Sequence, residues 1–319
     1  MQFTKFAYPK RVRIIHSRLY GEKMEELKVV FSGSYEDTPE NRKIVIPEGI
    51  EEIAENCFRD FSCLEEIYLP ASMKIIGPAA FSGCKNLKRV DMKFGILEIQ
   101  DEAFSSCPSL TKIELPDSVK RLGEGAFEGC ASLSHVKLSE SLLMIGAGAF
   151  AYCFNLRSVY IPDSCILVEF NAFSSCFSLE EARLSANMAL LDESLFEGCR
   201  SLVTVDLPAG LTRIGRRVFK GCSSLRSLIL PSEVKYIGFD AFYGCSSLAR
   251  IDLPRGICEI EDMDVFSECD SLAEISYGGS LPEWEMISHG RVLTLTKSDG
   301  APSTPHISFM NITGGTNEV

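Results

Sequence analysis

Thirteen cysteines are the most reactive side chains in this 319-residue sequence, and nine of them keep a fixed step. Cys84, Cys107, Cys130, Cys153, Cys176, Cys199, Cys222 and Cys245 stand 23 residues apart, and Cys269 follows after 24. No Cys-x-x-Cys occurs, so the usual zinc spacing is missing. An odd number of thiols at one repeat position fits buried packing, because buried cysteine behaves as a small inert hydrophobe. A reduced internal ladder of thiols is therefore expected. In-register residues on adjacent coils stand about 5 Å apart, so distance alone leaves pairing open.

The other candidates for chemistry give less. Four histidines, His16, His135, His289 and His306, include no i, i+4 pair of the metalloprotease kind. Gly123-x-Gly125 with Gly129 approaches a dinucleotide fingerprint at the wrong spacing, and Gly146-x-Gly148 repeats it one period later with no long helix following. No G-x-S-x-G elbow or phosphate-binding loop is present. Carboxylates such as Glu48, Asp117 and Asp163 fall at turn positions, where solvation explains them. No catalytic residue, metal or cofactor is expected, and the chain reads as a non-enzyme.

The elements that position these residues repeat with the cysteines. Phe58, Phe81, Phe104, Phe127, Phe150, Phe173, Phe196, Phe219 and Phe242 lie 23 residues apart, and Phe266 follows after 24. A period of that length means one supersecondary unit stacked on copies of itself. About ten coils are expected, forming one elongated body on the order of 50 Å long at a strand spacing of about 4.8 Å.

One coil follows L-x-x-I-x-L-P-x-x-V-x-x-I-G-x-x-A-F-x-x-C-x-x-L, as in LTKIELPDSVKRLGEGAFEGCASL. Leu110, Ile113 and Leu115 read as a short strand that Pro116 ends. Val119 and Leu122 turn inward again, and Gly123 marks a bend. Ala126, Phe127 and Cys130 have the i, i+1, i+4 spacing of one turn of α or 3₁₀ helix. Leu133 opens the next strand.

This pattern resembles the BspA-like leucine-rich repeat family, which shares the 23-residue length and the I-x-L-P, I-G and A-F-x-x-C elements over about residues 44 to 277. The Asn or Cys that follows the strand in ordinary leucine-rich repeats is replaced by Ser72, Gly95, Ser118, Ser141, Ser164 and Gly210. The resemblance implies an α/β repeat solenoid, a right-handed horseshoe with a parallel sheet on its concave side and short helical turns. It also implies a surface-associated role in binding proteins or host matrix.

An open stack needs caps. Residues 1–43 are expected to form the N-terminal cap region, 44–277 the solenoid, and 278–319 a C-terminal cap and partly disordered tail. Leu27, Val29 and Phe31 alternate like a strand able to cover the first coil at Ile44 and Ile46. After Tyr277, YGGSLPEWEMI carries the single tryptophan, Trp284, and resembles the family's closing cap. RVLTLTKSDGAPSTPHISFMNI reads as a terminal hairpin, and GGTNEV as a disordered end. Asn311-Ile312-Thr313 is a glycosylation sequon of use only in a secretory lumen.

The net charge of −12 disfavours nucleic acid as a ligand. Against it, the first 23 residues gather Lys5, Lys10, Arg11, Arg13, Arg18 and Lys23 beside one acid, Glu22, as a solvated or capping arm would. That start lacks the apolar stretch of a secretory signal, and no run is long enough for a membrane span. A cytoplasmic protein is expected, or a surface or secreted one if a leader has been removed.

Function is then expected on what the coils show to solvent. Between Lys88 and Tyr160 the outward positions of the first strands hold five cations, Lys88, Arg89, Lys112, Lys137 and Arg157, against Asp91 and Glu114, with His135 and Tyr160 interleaved and Arg183 in a later coil. These form the candidate partner face, suited to an acidic protein surface or to a sulfated or uronic glycan. The alternative is a glycan-binding module, for which Tyr68, Tyr160, Tyr236 and Tyr243 are few and scattered.

Overall fold

In the computed structural model, the structure describes residues 12–15, 28–31, 37–261, 263–287, 295–296, 302–310 and 316–318. The chain forms a parallel solenoid of about ten turns with little helix. Each coil contributes a first strand of three or four residues, such as Lys112–Glu114, and a second of two, such as Arg121–Leu122. Both pair in parallel with their counterparts 23 residues on: Ile113 beside Val136, and Leu122 beside Ile145. Two sheets thus run along the solenoid; the sequence reading placed Leu122 inward without assigning a strand there.

The first sheet, on the concave side, falls into separate ladders that break between Asp91 and Lys112, between Lys137 and Ser158, and between Asp206 and Ser227. In most coils where a Pro follows the first strand, it accepts a turn hydrogen bond from the next inward residue, as from Val119 to Pro116 (3.0 Å) and from Cys165 to Pro162 (2.9 Å). The serines at the substituted position tie coils together. The Ser72 hydroxyl accepts from the Gly49 amide (2.9 Å) and donates to the Ile50 carbonyl (2.8 Å), and Ser118 accepts from Gly95 (2.9 Å).

The third side differs from the expected helical turn at Ala126, Phe127 and Cys130. It is a stack of turns in which alternate amides point along the solenoid axis. Ala79, Phe81 and Gly83 donate to Asp101, Ala103 and Ser105 one coil on, at 2.8, 2.7 and 2.8 Å. Ala80, Ser82 and Cys84 donate within the coil to Gly77, Ala79 and Phe81, at 3.2, 3.1 and 3.2 Å. A continuous helix would spend every amide internally; here half are used to join coils. Left-handed residues on either side of Phe, such as Ala79 (φ 49°) and Gly83 (φ 75°), produce the alternation. A 3₁₀ helix stands at this place in the last coil, Met263–Phe266.

The core is one stripe of inward residues. Phe rings from Phe31 to Phe266 stack nearly parallel, with centroids 5.0–6.0 Å apart and planes within 18°. Their spacing lies within the range favoured for aromatic pairs. All thirteen cysteines are free. Each ladder thiol donates to the carbonyl of the Phe one coil back, as Cys107 does to Phe81 (3.2 Å) and Cys222 to Phe196 (3.2 Å).

At the N-terminal end, Lys28–Phe31 lies antiparallel to Val12–Ile15 and parallel to Glu52–Ile53. The capping strand thus joins the second sheet and the Phe column, where Phe31 stacks on Phe58, rather than the strand of Ile44. Leu27 and the basic side chains of the first 23 residues lie outside the described residues, with Arg13 placed only by its backbone in Val12–Ile15. The C-terminal end carries the helix Leu281–Ile287, whose Trp284 packs on Tyr277 with centroids 5.5 Å apart. Ser280 and Glu283 start it as a capping box: the Ser280 amide and hydroxyl donate to Glu283 Oε2 at 2.7 and 2.9 Å. The terminal segment holds a short hairpin, Leu295–Thr296 against Pro302–Ser303, rather than one joining its two apolar runs. His306–Met310 then extends the first sheet beside Glu274–Tyr277. In the tail read as disordered, Thr316–Glu318 pairs with Ser308–Met310; the sequon at Asn311 lies outside the described residues.

Candidate functional site

The strand alternation turns the central residue of each first strand toward the core, buried in most coils and half-buried at Val90, Val136 and Val205, and turns its two neighbours outward. Lys112–Glu114 buries Ile113 alone, and Glu181–Arg183 buries Ala182 alone. All eight candidate residues, Lys88, Arg89, Lys112, His135, Lys137, Arg157, Tyr160 and Arg183, are exposed. Register brings His135 beside Lys112 and Tyr160 beside Arg183.

Their charges are not equally available. Lys88 is held by Glu65 (3.0 Å) and Lys112 by Glu114 (2.5 Å). The Lys112 hydrogen bond holds the Glu114 carboxyl below its usual range, helped by the field of Lys137. Arg89 lies over the Tyr68 ring, 5.4 Å from its centroid, and Lys43 lies over the same ring at 4.5 Å. His135 Nδ1 is 2.8 Å from the Ser134 hydroxyl, and the Tyr160 hydroxyl donates to Glu181 (3.2 Å). Lys137, Arg157 and Arg183 form no ion pair among the described residues. Of the five cations read against two acids in the sequence, Lys137 and Arg157 stay without an ion pair, joined by Arg183 of the next coil, because Glu65 one coil back reaches Lys88 and Glu114 on the same strand reaches Lys112.

Aromatic faces are also engaged. Arg213 lies 3.8 Å from the centroid of Tyr236, and Lys220 4.7 Å from that of Tyr243. Phe154 and Phe177 cover one another at 4.8 Å, and Arg200 lies 4.8 Å from the centroid of Phe177.

A feature that sequence reading missed lies on the turn side. A groove of about 790 Å³ crosses five coils, with Gly148, Ala151 and Ser174 along it, Glu124 and Glu128 at one end and the Glu193–Arg217 ion pair (3.3 Å) at the other. Burial, together with Glu102 and Glu124, pushes the Glu128 carboxyl upward. Its signal in the sequence is a run of small residues, Ala147, Gly148, Ala149 and Ala151, in the coil between those acids. Among the described residues no group of three or more His, Cys, Asp or Glu is placed to hold a metal ion. No helix there is long and apolar enough to cross a membrane.

Comparison with known proteins agrees with this architecture. The BspA type leucine rich repeat region matches residues 2–107, 28–141, 51–180 and 167–287, so the chain belongs to the BspA-type leucine-rich repeat family. No curated protein matches significantly. Among solved structures, the chain is similar to the pneumococcal vaccine antigen PcpA, with 26% identity and a TM-score of 0.52, covering 74% of this chain and 68% of that one. It is also similar to the leucine rich repeat protein of T. pallidum, TpLRR, with 28% identity, 62% and 82% coverage, and a TM-score of 0.46. A leucine rich cell surface protein of Faecalibacterium prausnitzii has 23% identity, 82% and 93% coverage, and a TM-score of 0.42. The family makes the chain a binding scaffold in class.

Proposed function

We propose that this chain is a non-enzymatic scaffold of the adhesion type that binds an acidic protein surface on its first sheet. Lys137, Arg157 and Arg183 supply the charge and Tyr160 the central anchor. The observation that carries the reading is that these three cations are exposed on the side of the first strands and form no ion pair among the described residues, in a chain of net charge −12. An exposed cation already paired adds little to a new partner; an unpaired one steers encounter and fixes register. The working unit is residues 44–277, with 1–43 and 278–319 serving as end caps. A place at the cell surface or outside the cell goes with this reading, since the similar PcpA is a vaccine antigen.

The engaged rings weigh against glycan binding. Sugar platforms need an open aromatic face, whereas Tyr68, Tyr236 and Tyr243 each carry a cation over the ring. A protein pull-down and a glycan array, both run with the full chain, separate the two readings. Recovery of an acidic protein partner with an unreactive array is the expected result. Strong array hits with no protein recovered would overturn it.

A further inference from the structure

The second sheet carries a surface that the proposed site does not use. In each coil, two outward residues precede the inward one of the short strand. From Glu51 to Glu259 nearly every coil puts at least one charged side chain there, as a water-facing strand should. Three consecutive coils do not: they hold Leu143 and Met144, Ile166 and Leu167, and Ala189 and Leu190. Ile166 is 67% exposed, Leu143 47%, Leu167 41% and Leu190 39%. Together they show on the order of 350 Å² of apolar surface, within the range of the largest patch that a monomer usually leaves uncovered.

Charge closes this stripe at both ends. Lys120 and Arg121 precede it and Arg213 follows it. Arg121 pairs with Glu98 (3.2 Å) and Arg213 lies over the Tyr236 ring, 3.8 Å from its centroid, while neither Lys120 nor Arg213 has an ion pair among the described residues. Two carboxylates along its sides accept from backbone: Glu169 from the Ala147 amide (3.0 Å) and Asp163 from the Ala186 amide (2.8 Å). A second copy of this chain does not fit, because any two-fold pairing of the stripe with itself sets cation against cation. Lys120 and Arg213 are four coils apart, about 19 Å at about 4.8 Å per coil. An α-helix covers that span in about 13 residues.

The geometry points to a second binding surface, in which the stripe from Leu143 to Leu190 docks an amphipathic helix of a partner protein, apolar along one face and acidic at both ends. Leucines at i, i+3, i+4 and i+7 lie across Leu143, Ile166 and Leu167, and the terminal acids meet Lys120 and Arg213. This surface is separate from the first-sheet cations, so either can fail without the other.

The test uses the full chain and two labelled 18-residue peptides, read by fluorescence anisotropy. Both carry leucines at i, i+3, i+4 and i+7; one has three Glu at each end and the other three Lys. The Glu-ended peptide is expected to bind at least about tenfold tighter. Ile166→Asp should weaken it by about the same factor, and Lys120→Glu with Arg213→Glu should reverse the preference between the peptides. All these side chains are exposed, and circular dichroism checks that the variants fold. Equal binding of the two peptides would overturn the proposal, as would unchanged binding by Ile166→Asp. Self-association of the chain, or sedimentation with phosphatidylserine vesicles, that Ile166→Asp abolishes would assign the stripe to another occupant and overturn it too.

Discussion

Phe150 lies between Phe127 and Phe173, with ring centroids 5.3 and 5.4 Å away and planes within 6°, and it is wholly buried. Removing the ring leaves a cavity that stacked neighbours on both sides cannot easily fill, so Phe150→Ala should cost about 3–5 kcal/mol. Chemical denaturation reads this directly. The cysteines share that buried setting: burial pushes Cys176 up to about 12, far from a reactive thiolate. Glu261 is a different kind of fastener. It receives Arg216 from two coils back, the Tyr236 hydroxyl at 2.5 Å and the Phe239 amide at 3.0 Å. The Arg216 hydrogen bonds, ahead of those from Tyr236 and Phe239, hold its carboxyl down to about 2. A carboxylate depressed in the folded state contributes stability above its unfolded pKa of about 4.3 and loses it as pH falls toward the folded value. Glu261→Gln should therefore flatten the fall in stability between about pH 4.3 and 2, as measured by melting temperature against pH. The Phe and Cys columns were legible in the sequence because burial demands the same side chain at every step. Glu261 was not, because its partners come from two different coils.

At the scale of the coil, the first strand and its Pro stop were legible from alternation and from the missing amide. The turn side was not. Ala, Phe and Cys at i, i+1 and i+4 serve a helical turn and a pair of left-handed turns equally well. Glycine marks the left-handed positions in some coils, as at Gly83, Gly125 and Gly148 (φ 75°, 58° and 58°), but Glu102, Tyr152 and Arg217 hold positive φ (55°, 59° and 56°) at the same places in others, so no constant residue type marks the turn. The glycines of the I-G element have another cause. Gly146 has an ordinary φ, yet a Cβ there would stand 2.6 Å from the Gly123 carbonyl carbon and 2.7 Å from the Glu124 nitrogen. Two coils approach too closely for a side chain. Gly146→Ala should accordingly destabilise by about 1–3 kcal/mol, the usual cost of forcing atoms into a packed interior. A denaturation midpoint equal to that of the parent chain would show that the coils can separate there.

Across the whole molecule, each surface has its own character. The first sheet exposes cations, the turn side holds an acidic groove, and the second sheet carries an apolar stripe. Only the first was legible, since it lies on strands whose inward and outward residues alternate strictly. The groove depends on small residues aligned with acids two coils away, and the stripe on leucines that look like core until the second strand is seen. The central claim is that unpaired cations of the first sheet carry binding, and paired ones do not. It is tested by the affinity of a captured protein partner for Lys137→Glu, Arg157→Glu, Arg183→Glu in one chain, set beside Lys88→Glu, Lys112→Glu in another, at low and physiological salt. The triple variant should lose at least about tenfold, with the parent's salt sensitivity lost as well, while the double variant stays within about threefold. A triple variant that binds as tightly as the parent chain would contradict the account.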